Sequence, residues 1–263
     1  MPAPTYPIQT LTQTRTAPAS WDIALGDIPS LQSVVKFGGA GPAGAGDAPL
    51  DVWSPGGDYE GQPIVGAPVL TATVVSAGLL DTAAGTGART VQVFGLDENL
   101  EPVDEIVTLD GTTPVPLTNL YERLNRMKVL TAGSGGENDA VISAVRDVTN
   151  EVFATIPSGL NQTQIAAYTI PAGKVGVLTN LWVSIGLANG NSGSAEVTLR
   201  ARPQGGVYQA ARSFTLSNSA AVNPITLPVT FDEGTDLKVR VEDISDNNTF
   251  ITAEFDLVLV DKI

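Results

Sequence analysis

Apolar and polar positions alternate with a period of two through most of the chain after residue 68, most clearly between residues 76 and 118. Such a period, rich in β-branched residues and bounded by turn residues, predicts half-buried antiparallel strands rather than helices. Residues 95–99 and 110–113 supply the turns, because Gly and Asn tolerate positive φ. The stretch therefore predicts a β-meander. The apolar positions of its three runs are Val91, Val93 and Leu96, then Val103, Ile106, Val107 and Leu109, and finally residues 114–117.

The same pattern continues to the end of the chain and predicts two β domains, at residues 69–157 and 158–263. The second has short strands at a regular rhythm, which predicts a β-sandwich of jelly-roll type. Its last strand should place Phe255, Leu257 and Leu259 on one face. Residues 120–131 fit either a strand or a helical turn. The predicted strands are 69–76, 90–95, 103–109, 113–117, 139–146 and 151–156 in the first domain, and 162–170, 174–187, 194–202, 207–217, 224–231, 236–243 and 250–260 in the second.

Residues 1–68 differ from the rest, with ten prolines and a glycine-rich run at 38–46. Proline fixes φ and removes a backbone donor, so we predict an extended arm without long helices or central strands. Its many large apolar side chains favour an arm that orders on a neighbouring subunit. The alternative is a flexible leader that covers its own domain. Deleting residues 1–60 should leave both domains folded. The predicted partner-binding anchors are Trp21, Ile23, Leu31, Val35, Phe37, Trp53 and Tyr59.

Composition narrows the functions open to the 263-residue chain. It has neither cysteine nor histidine, which excludes thiolate metal sites and catalysis by serine–histidine or cysteine–histidine arrangements. Its 14 basic residues against 28 acidic ones give a formal charge of −14, which disfavours binding to nucleic acid. No run approaches the ~20 apolar residues of a membrane span, and the N-terminus lacks the apolar core of a signal peptide. We predict no nucleic-acid or membrane partner.

The motifs that could carry chemistry are weak. Residues 38–42 lack the Lys-Ser/Thr of a phosphate-binding loop, and residues 85–89 lead into a predicted strand rather than a helix, so both are predicted to be loops. The acidic stretches 232–236 and 243–248 do not match a calcium loop and suit ordinary hairpins. Nothing distinguishes one carboxylate pair for glycoside hydrolysis among 28 acids. We therefore predict no enzyme, no catalytic residue, no metal site and no cofactor.

One basic cluster interrupts this acidic chain. Arg123, Arg126 and Lys128 lie within six residues of one another. Such a cluster is typical of a solvated face or of ion pairs between subunits.

The segment 81–115 resembles a segment of structural proteins of tailed bacteriophages. The resemblance depends on three motifs, GTGART at 85–90, GLD at 95–97 and DGTTPV at 110–115. Upstream, KFG at 36–38 and the W-x-x-G-G-x-Y pattern at 53–59 look like pieces that precede the segment in such proteins. After KFG this chain has Gly39-Ala40 in place of the expected Arg-Asn. The resemblance covers roughly residues 33–145, and YTIPAGK at 168–174 is only generically similar.

The resemblance implies a non-enzymatic virion structural protein. We expect a capsid decoration or cement protein on the particle exterior, assembled in the host cytoplasm. It would bind the major capsid protein and copies of itself, as a homotrimer, through the arm. A tail, neck or baseplate component that contacts tail or fibre proteins is the alternative, followed by a module that binds a host receptor or glycan.

Overall fold

A computed structural model describes residues 19–63, 72–146, 150–187, 193–217 and 220–262, with the backbone alone at 19 and 220–227. Almost all of the regular secondary structure described is antiparallel β-sheet, which confirms the predicted all-β class. In chain order the elements are α1 (Ala19–Ala24), β1 (Leu31–Ala43), β2 (Leu50–Asp51), β3 (Ala72–Ser76), β4 (Ala88–Leu96), β5 (Pro102–Thr108), β6 (Val115–Pro116), β7 (Arg123–Ala132), β8 (Ile142–Arg146), β9 (Val152–Ile156), β10 (Ala167–Thr169), β11 (Lys174–Leu187), β12 (Ser194–Arg202), β13 (Gln209–Ser217), β14 (Ala220–Phe231), β15 (Asp236–Ile244) and β16 (Thr249–Asp261).

The C-terminal strands form a sandwich of two sheets. One sheet has the order β1–β16–β11–β14, and the other has the order β10–β15–β12–β13 with β2 also paired to β15. From β10 to β16, successive strands alternate between the two sheets except β12 and β13, which pair with each other, and crossing between two sheets is typical of a jelly roll. The burial pattern of β16 alternates along its length, with Phe255, Leu257 and Leu259 all buried as predicted. One-sided burial of this kind is what a period of two encodes.

The first sandwich is smaller. It joins a sheet of order β6–β3–β8–β9 to a sheet of order β5–β4–β7. Its core includes Val91 and Val93 of β4, Met127 of β7 and Phe153 of β9, all fully buried. The ambiguous stretch 120–131 is largely strand β7, because Leu124 and Met127 face this core while β7 pairs with β4.

Some predicted strands are shorter than expected. Residues 162–170 yield only the three-residue β10, since the preceding residues cross from one sandwich to the other. There Gln162 makes a single bridge to Lys128 of β7, and Ile165 makes one to Trp53. Likewise the strand predicted at 113–117 is reduced to β6, and residues 69–71 lie outside the described residues.

Asp81 makes the hydrogen bonds that fix the start of the segment 81–115, which resembles a segment of phage structural proteins. Its buried carboxylate accepts hydrogen bonds from the Ser76 hydroxyl at 2.6 Å and from the backbone N–H groups of Ala88, Asp139 and Ala140 at 2.7, 2.9 and 3.1 Å. One ionised side chain thus ties the start of β4 to the loop before β8. Such charge-assisted bonds to backbone donors are strong ones.

The glycines of the GTGART turn permit this arrangement. A Cβ on Gly85 would lie 1.9 Å from the Leu80 carbonyl oxygen, and one on Gly87 would lie 2.3 Å from Asp81 Oδ1. Contacts that short do not occur with real side chains. Of the loop predicted at residues 85–89, residues 85–87 lie outside any strand, whereas Ala88 and Arg89 already belong to β4. The need for close approach explains the glycines without a phosphate ligand.

Residues 31–51 correct the prediction of an arm that orders on another subunit. β1 pairs with β16 along its whole length, from Leu31 opposite Val260 to Ala43 opposite Thr249, and β2 pairs with β15. The glycine-rich residues 38–42, predicted to be a loop, lie in β1. A Cβ on Gly38 would sit 2.4 Å from the Ala166 backbone nitrogen, so glycine lets the strand approach its own chain. The edge strand of this sheet is therefore supplied from within the chain.

Candidate interaction surface

Large apolar side chains near the N-terminus are exposed to solvent. Trp21 is 63 % exposed, Leu25 is 69 % exposed and Val35 is 49 % exposed. Trp21 lies on α1, whose end is marked by Gly26 at φ 74°, the left-handed conformation common after a helix. Val35 lies on β1, where its neighbour Val34 packs against the core of the C-terminal sandwich. We refer to Trp21, Leu25 and Val35 as the apolar rim.

The other predicted anchors divide into two groups. Ile23, Leu31 and Phe37 are half-buried, so part of each side chain reaches solvent. Trp53 and Tyr59 are 4 % and 6 % exposed, and both belong to the core of the first sandwich. For these two residues, the prediction of partner-binding anchors is corrected.

Internal contacts explain the burial of Trp53 and Tyr59. Their rings meet edge to face with centroids 5.2 Å apart. The Tyr59 hydroxyl donates to the Leu124 carbonyl at 2.6 Å, and its backbone N–H donates to Asp51 Oδ2 at 2.7 Å. Burial raises the pKa of Tyr59 well above its ordinary value. The Tyr59 hydroxyl therefore links the N-terminal region to β7, and the Trp53 ring packs against Tyr59.

The predicted basic cluster is separated by the fold. Arg123 is buried and donates from Nε to Asp236 Oδ1 at 2.8 Å and from Nη2 to Asp236 Oδ2 at 3.2 Å. This ion pair links β7 of the first sandwich to β15 of the second. For Arg123, the predicted solvated face or intersubunit pair is corrected to an internal pair.

Asp236 is the centre of a larger buried network that the sequence analysis did not predict. Arg202 also donates to Asp236 Oδ2, at 2.6 Å, and the Thr169 hydroxyl donates to Oδ1 at 2.6 Å. Gln62 Nε2 donates to the Thr169 hydroxyl at 3.4 Å, which joins the N-terminal region to the network. Asp236 lies in the acidic stretch 232–236, and both of its carboxylate oxygens accept hydrogen bonds from arginine side chains.

A second network surrounds Asp51. Lys238 donates to Asp51 Oδ2 at 2.7 Å, and Arg240 donates to Asp51 Oδ1 at 3.0 Å and to Asp58 at 2.6 Å. The Arg240 hydrogen bond lowers the pKa of Asp58. β15 therefore supplies the acid of the first network, Asp236, and the cations of the second, Lys238 and Arg240.

The other two residues of the basic cluster, Arg126 and Lys128, line a pocket. Arg126 donates from Nη2 to Gln162 Oε1, and Lys128 Nζ lies 4.9 Å from the centre of the Phe94 ring. The pocket has a volume of about 430 Å³ and lies between β1 and the strands β4, β5 and β7. Lys36 of β1 lines it from the opposite side.

Lys36 is the buried cation of this pocket. Its side chain lies on the inward face of β1, the residue is 7 % exposed, and its ammonium donates to the Asn125 carbonyl at 2.5 Å. Burial, with a smaller contribution from the charge of Arg126, lowers the pKa of Lys36 to about 7. Sequence reasoning missed Lys36 because it stands 90 residues before Arg126 in the chain.

Within the described ranges, no three His, Cys, Asp or Glu side chains are grouped so that they could hold a metal ion. Among the described residues, no helix is long and apolar enough to cross a bilayer.

No protein-family model matches the chain, and no curated protein matches it. Among solved structures, the Gt strain of infectious bursal disease virus aligns at 13 % identity over 88 % of this chain and 73 % of that chain, with a TM-score of 0.19. The VP2 subviral particle of the same virus aligns at 10 % identity over 88 % of this chain and 72 % of that chain, with a TM-score of 0.19. TM-scores this low do not establish a shared fold, so they carry no argument about function.

Proposed function

We propose that the chain is a non-enzymatic structural protein of a tailed-phage virion, and specifically a decoration or cement protein on the outer surface of the capsid. In this role it binds the major capsid protein and copies of itself as a homotrimer. The observation that carries the proposal is the apolar rim, formed by the exposed side chains of Trp21, Leu25 and Val35 near the N-terminal end of the described chain.

The apolar rim supplies the adhesion. Full burial of a side chain of this size contributes roughly 1.5–3 kcal/mol, so two or three of them could account for a useful part of a binding energy. Trp is also enriched among the residues that dominate interfaces. β1 anchors the segment through its pairing with β16, so the rim is presented by a folded scaffold rather than by a loose tail.

The resemblance of residues 81–115 to phage structural proteins supports the same role. The structure accounts for this motif as a fold-forming element, since Asp81 and the glycines around it close the loop before β4. A motif that builds a scaffold fits a structural protein better than an enzyme. Asp236, which lies in one of the two acidic stretches weighed as calcium loops, is paired with Arg123 and Arg202 instead.

The charge of the chain fits an exterior position. A formal charge of −14 is repelled by packaged DNA, because binding to nucleic acid depends on cations that replace condensed counterions. The outer surface of a capsid keeps such a protein away from the genome.

The decisive experiment is to count copies of the chain in purified particles of the phage that encodes it, by quantitative mass spectrometry against the major capsid protein. Hundreds of copies per particle are expected for a decoration protein. A few to a few dozen copies would overturn decoration in favour of a tail, neck or baseplate component. Absence from particles would overturn the virion role altogether.

The contribution of the N-terminal region is tested by truncation before Leu31. Deleting residues 1–60 was expected from the sequence to leave both domains folded. It would remove β1, β2 and the core residues Trp53 and Tyr59, so it would destabilise both sandwiches. Deleting residues 1–29 keeps β1 whole. This shorter variant should remain folded and fail to decorate particles that lack the protein. Full occupancy by the truncated protein would show that the segment does not bind the capsid.

A further inference from the structure

The pocket between β1 and the first sandwich concentrates positive charge in an acidic protein. Lys36, Arg126 and Lys128 all line it, and Asp104 is the one carboxylate among its lining residues. Three cations against one acid leave an excess of two positive charges there. The whole chain has the opposite balance, with 14 basic and 28 acidic residues.

None of the three cations forms an ion pair with a described residue. Lys36 donates to a backbone carbonyl, Arg126 donates to the neutral amide of Gln162, and Lys128 lies against the Phe94 ring. Asp104 is engaged elsewhere, since it accepts a hydrogen bond from Gln92 Nε2 at 2.7 Å. By contrast, eight other cations of the described part of the chain pair with carboxylates, namely Arg123, Arg146, Lys174, Arg200, Arg202, Lys238, Arg240 and Lys262.

Lys36 makes this arrangement unusual. A buried ammonium is costly unless a carboxylate compensates it, and here a second cation stands nearby instead. Its lowered pKa has the same cause, namely burial and the charge of Arg126. An anion placed in the pocket would offset both effects. The isolated chain therefore leaves a charge unsatisfied that a ligand could neutralise.

The walls of the pocket indicate the kind of anion. Phe94, Val103 and Tyr168 also line the pocket and add apolar or aromatic surface to it, and the volume of about 430 Å³ is large for a bare inorganic ion. Val35, at the mouth, is also part of the apolar rim. The pocket is thus continuous with the surface assigned to a partner protein.

We propose that this pocket binds a carboxylate-bearing side chain, Asp or Glu, inserted by the partner protein that covers the apolar rim. The assignment of a protein as the source of the carboxylate rests on the proposed function, whereas the affinity of the pocket for a carboxylate does not. In the complex, the carboxylate accepts hydrogen bonds from Lys128 and Arg126 and compensates the charge of Lys36. Charge-assisted bonds in a partly buried site are the stronger kind.

The first test uses the isolated full chain and glutarate as the carboxylate probe. The chain has five lysines, so the side-chain NMR signals of Lys36 and Lys128 can be followed in protein labelled at lysine. Glutarate should shift both signals saturably, with a dissociation constant on the order of 1 mM. Its neutral diamide should shift neither. No saturable shift with glutarate, or equal binding of the diamide, would overturn the carboxylate site. Tighter binding of inorganic phosphate than of glutarate would identify the pocket as a phosphate site and would also overturn the proposed carboxylate site.

Variants locate the binding. The double variant Arg126→Gln, Lys128→Gln should weaken glutarate binding at least tenfold, because charge-assisted hydrogen bonds contribute about 1.5–3 kcal/mol each. Arg212→Gln is the matched control, since Arg212 lies on β13 and, among the residues that the structure describes, donates to the Ala211 carbonyl and to no side chain. Unchanged binding in the double variant, with its fold verified by circular dichroism, would place the site elsewhere.

The second test asks whether the carboxylate comes from a protein of the particle. The charge reversal Lys128→Glu should reduce the number of copies on particles at least tenfold relative to Arg212→Glu. If wild-type protein decorates particles and Lys128→Glu decorates them equally, the partner does not use this pocket, while the proposed function stands. If wild-type protein is absent from particles, the proposed function fails, and glutarate binding still decides the chemistry of the pocket.

Discussion

Arg123 on β7 and Asp236 on β15 form a buried ion pair across 113 residues of sequence, with side chains only 1 % and 2 % exposed. The pair joins the two sandwiches at a point where Arg202 and Thr169 also bind the same carboxylate. Since Gln62 bonds to Thr169, the N-terminal region is held at this point as well. The network fixes how three parts of the chain meet.

Removing one partner of this pair should be strongly destabilising. Arg123→Met leaves Asp236 with one fewer cation in a buried site, so we expect the free energy of unfolding to fall by about 3–5 kcal/mol. Urea denaturation followed by tryptophan fluorescence measures it. Lys174→Met is the matched control, because its pair with Asp261 is half-exposed and should contribute less than about 1 kcal/mol. Equal losses in the two variants would contradict the assigned role.

Asp81 should be the least replaceable residue of the phage-like segment. Asp81→Asn keeps the shape, but an amide NH₂ replaces one of the oxygens that accept from Ser76, Ala88, Asp139 and Ala140. A loss of about 2–4 kcal/mol is expected in thermal or urea unfolding.

Asp97→Asn is the control for this prediction. Asp97 accepts from the backbone N–H groups of Asn99 and Glu101 through the single oxygen Oδ1, which asparagine retains. Its stability should change by less than about 0.5 kcal/mol. If Asp81→Asn were as harmless as Asp97→Asn, the carboxylate would not be what closes the loop.

Lys36 should make stability rise with pH above neutrality. Its pKa is about 7 in the folded chain, against an ordinary value of 10.5 when unfolded. Between these values the unfolded state holds the extra proton, so the free energy of unfolding increases with pH by up to about 1.4 kcal/mol per unit. Below about pH 7 both states are protonated, and the contribution levels off at its least favourable value.

Lys36→Met should remove this slope in urea denaturation between about pH 7 and pH 9, where tyrosines do not yet titrate. Lys262→Met should retain it, since a hydrogen bond from Lys262 to Glu233 raises the pKa of Lys262 and keeps it charged throughout that interval. A slope that persists in Lys36→Met would show that another group titrates.

Alanine substitutions should affect particle binding in the apolar rim and stability in the aromatic core. Trp21→Ala with Leu25→Ala should change the free energy of unfolding by less than about 0.5 kcal/mol for each substitution but lower the number of copies on particles. Trp53→Ala should cost about 3–5 kcal/mol of stability, because Trp53 is buried against Tyr59. Decoration that survives the double substitution would separate the rim from capsid binding.

The sequence by itself determined the β-class and most strand positions. The ends of strands β4, β5, β11, β12, β15 and β16 all lie within two residues of their predicted positions. A period of two is written into consecutive residues, because each strand has one buried face and one exposed face. Trp21 and Val35 are exposed, and their role as anchors for a partner stays a prediction.

Only the tertiary structure decided where residues 31–59 lie. Their prolines and glycines suggested an arm directed outward, yet β1 completes the sheet beside β16 and Trp53 fills the core of the first sandwich. The same holds for the Arg123–Asp236 pair and for the meeting of Lys36 with Arg126. These contacts join residues far apart in the chain. The local alternation of apolar and polar residues shows which face of a strand is buried, but it does not identify the segment that packs on that face.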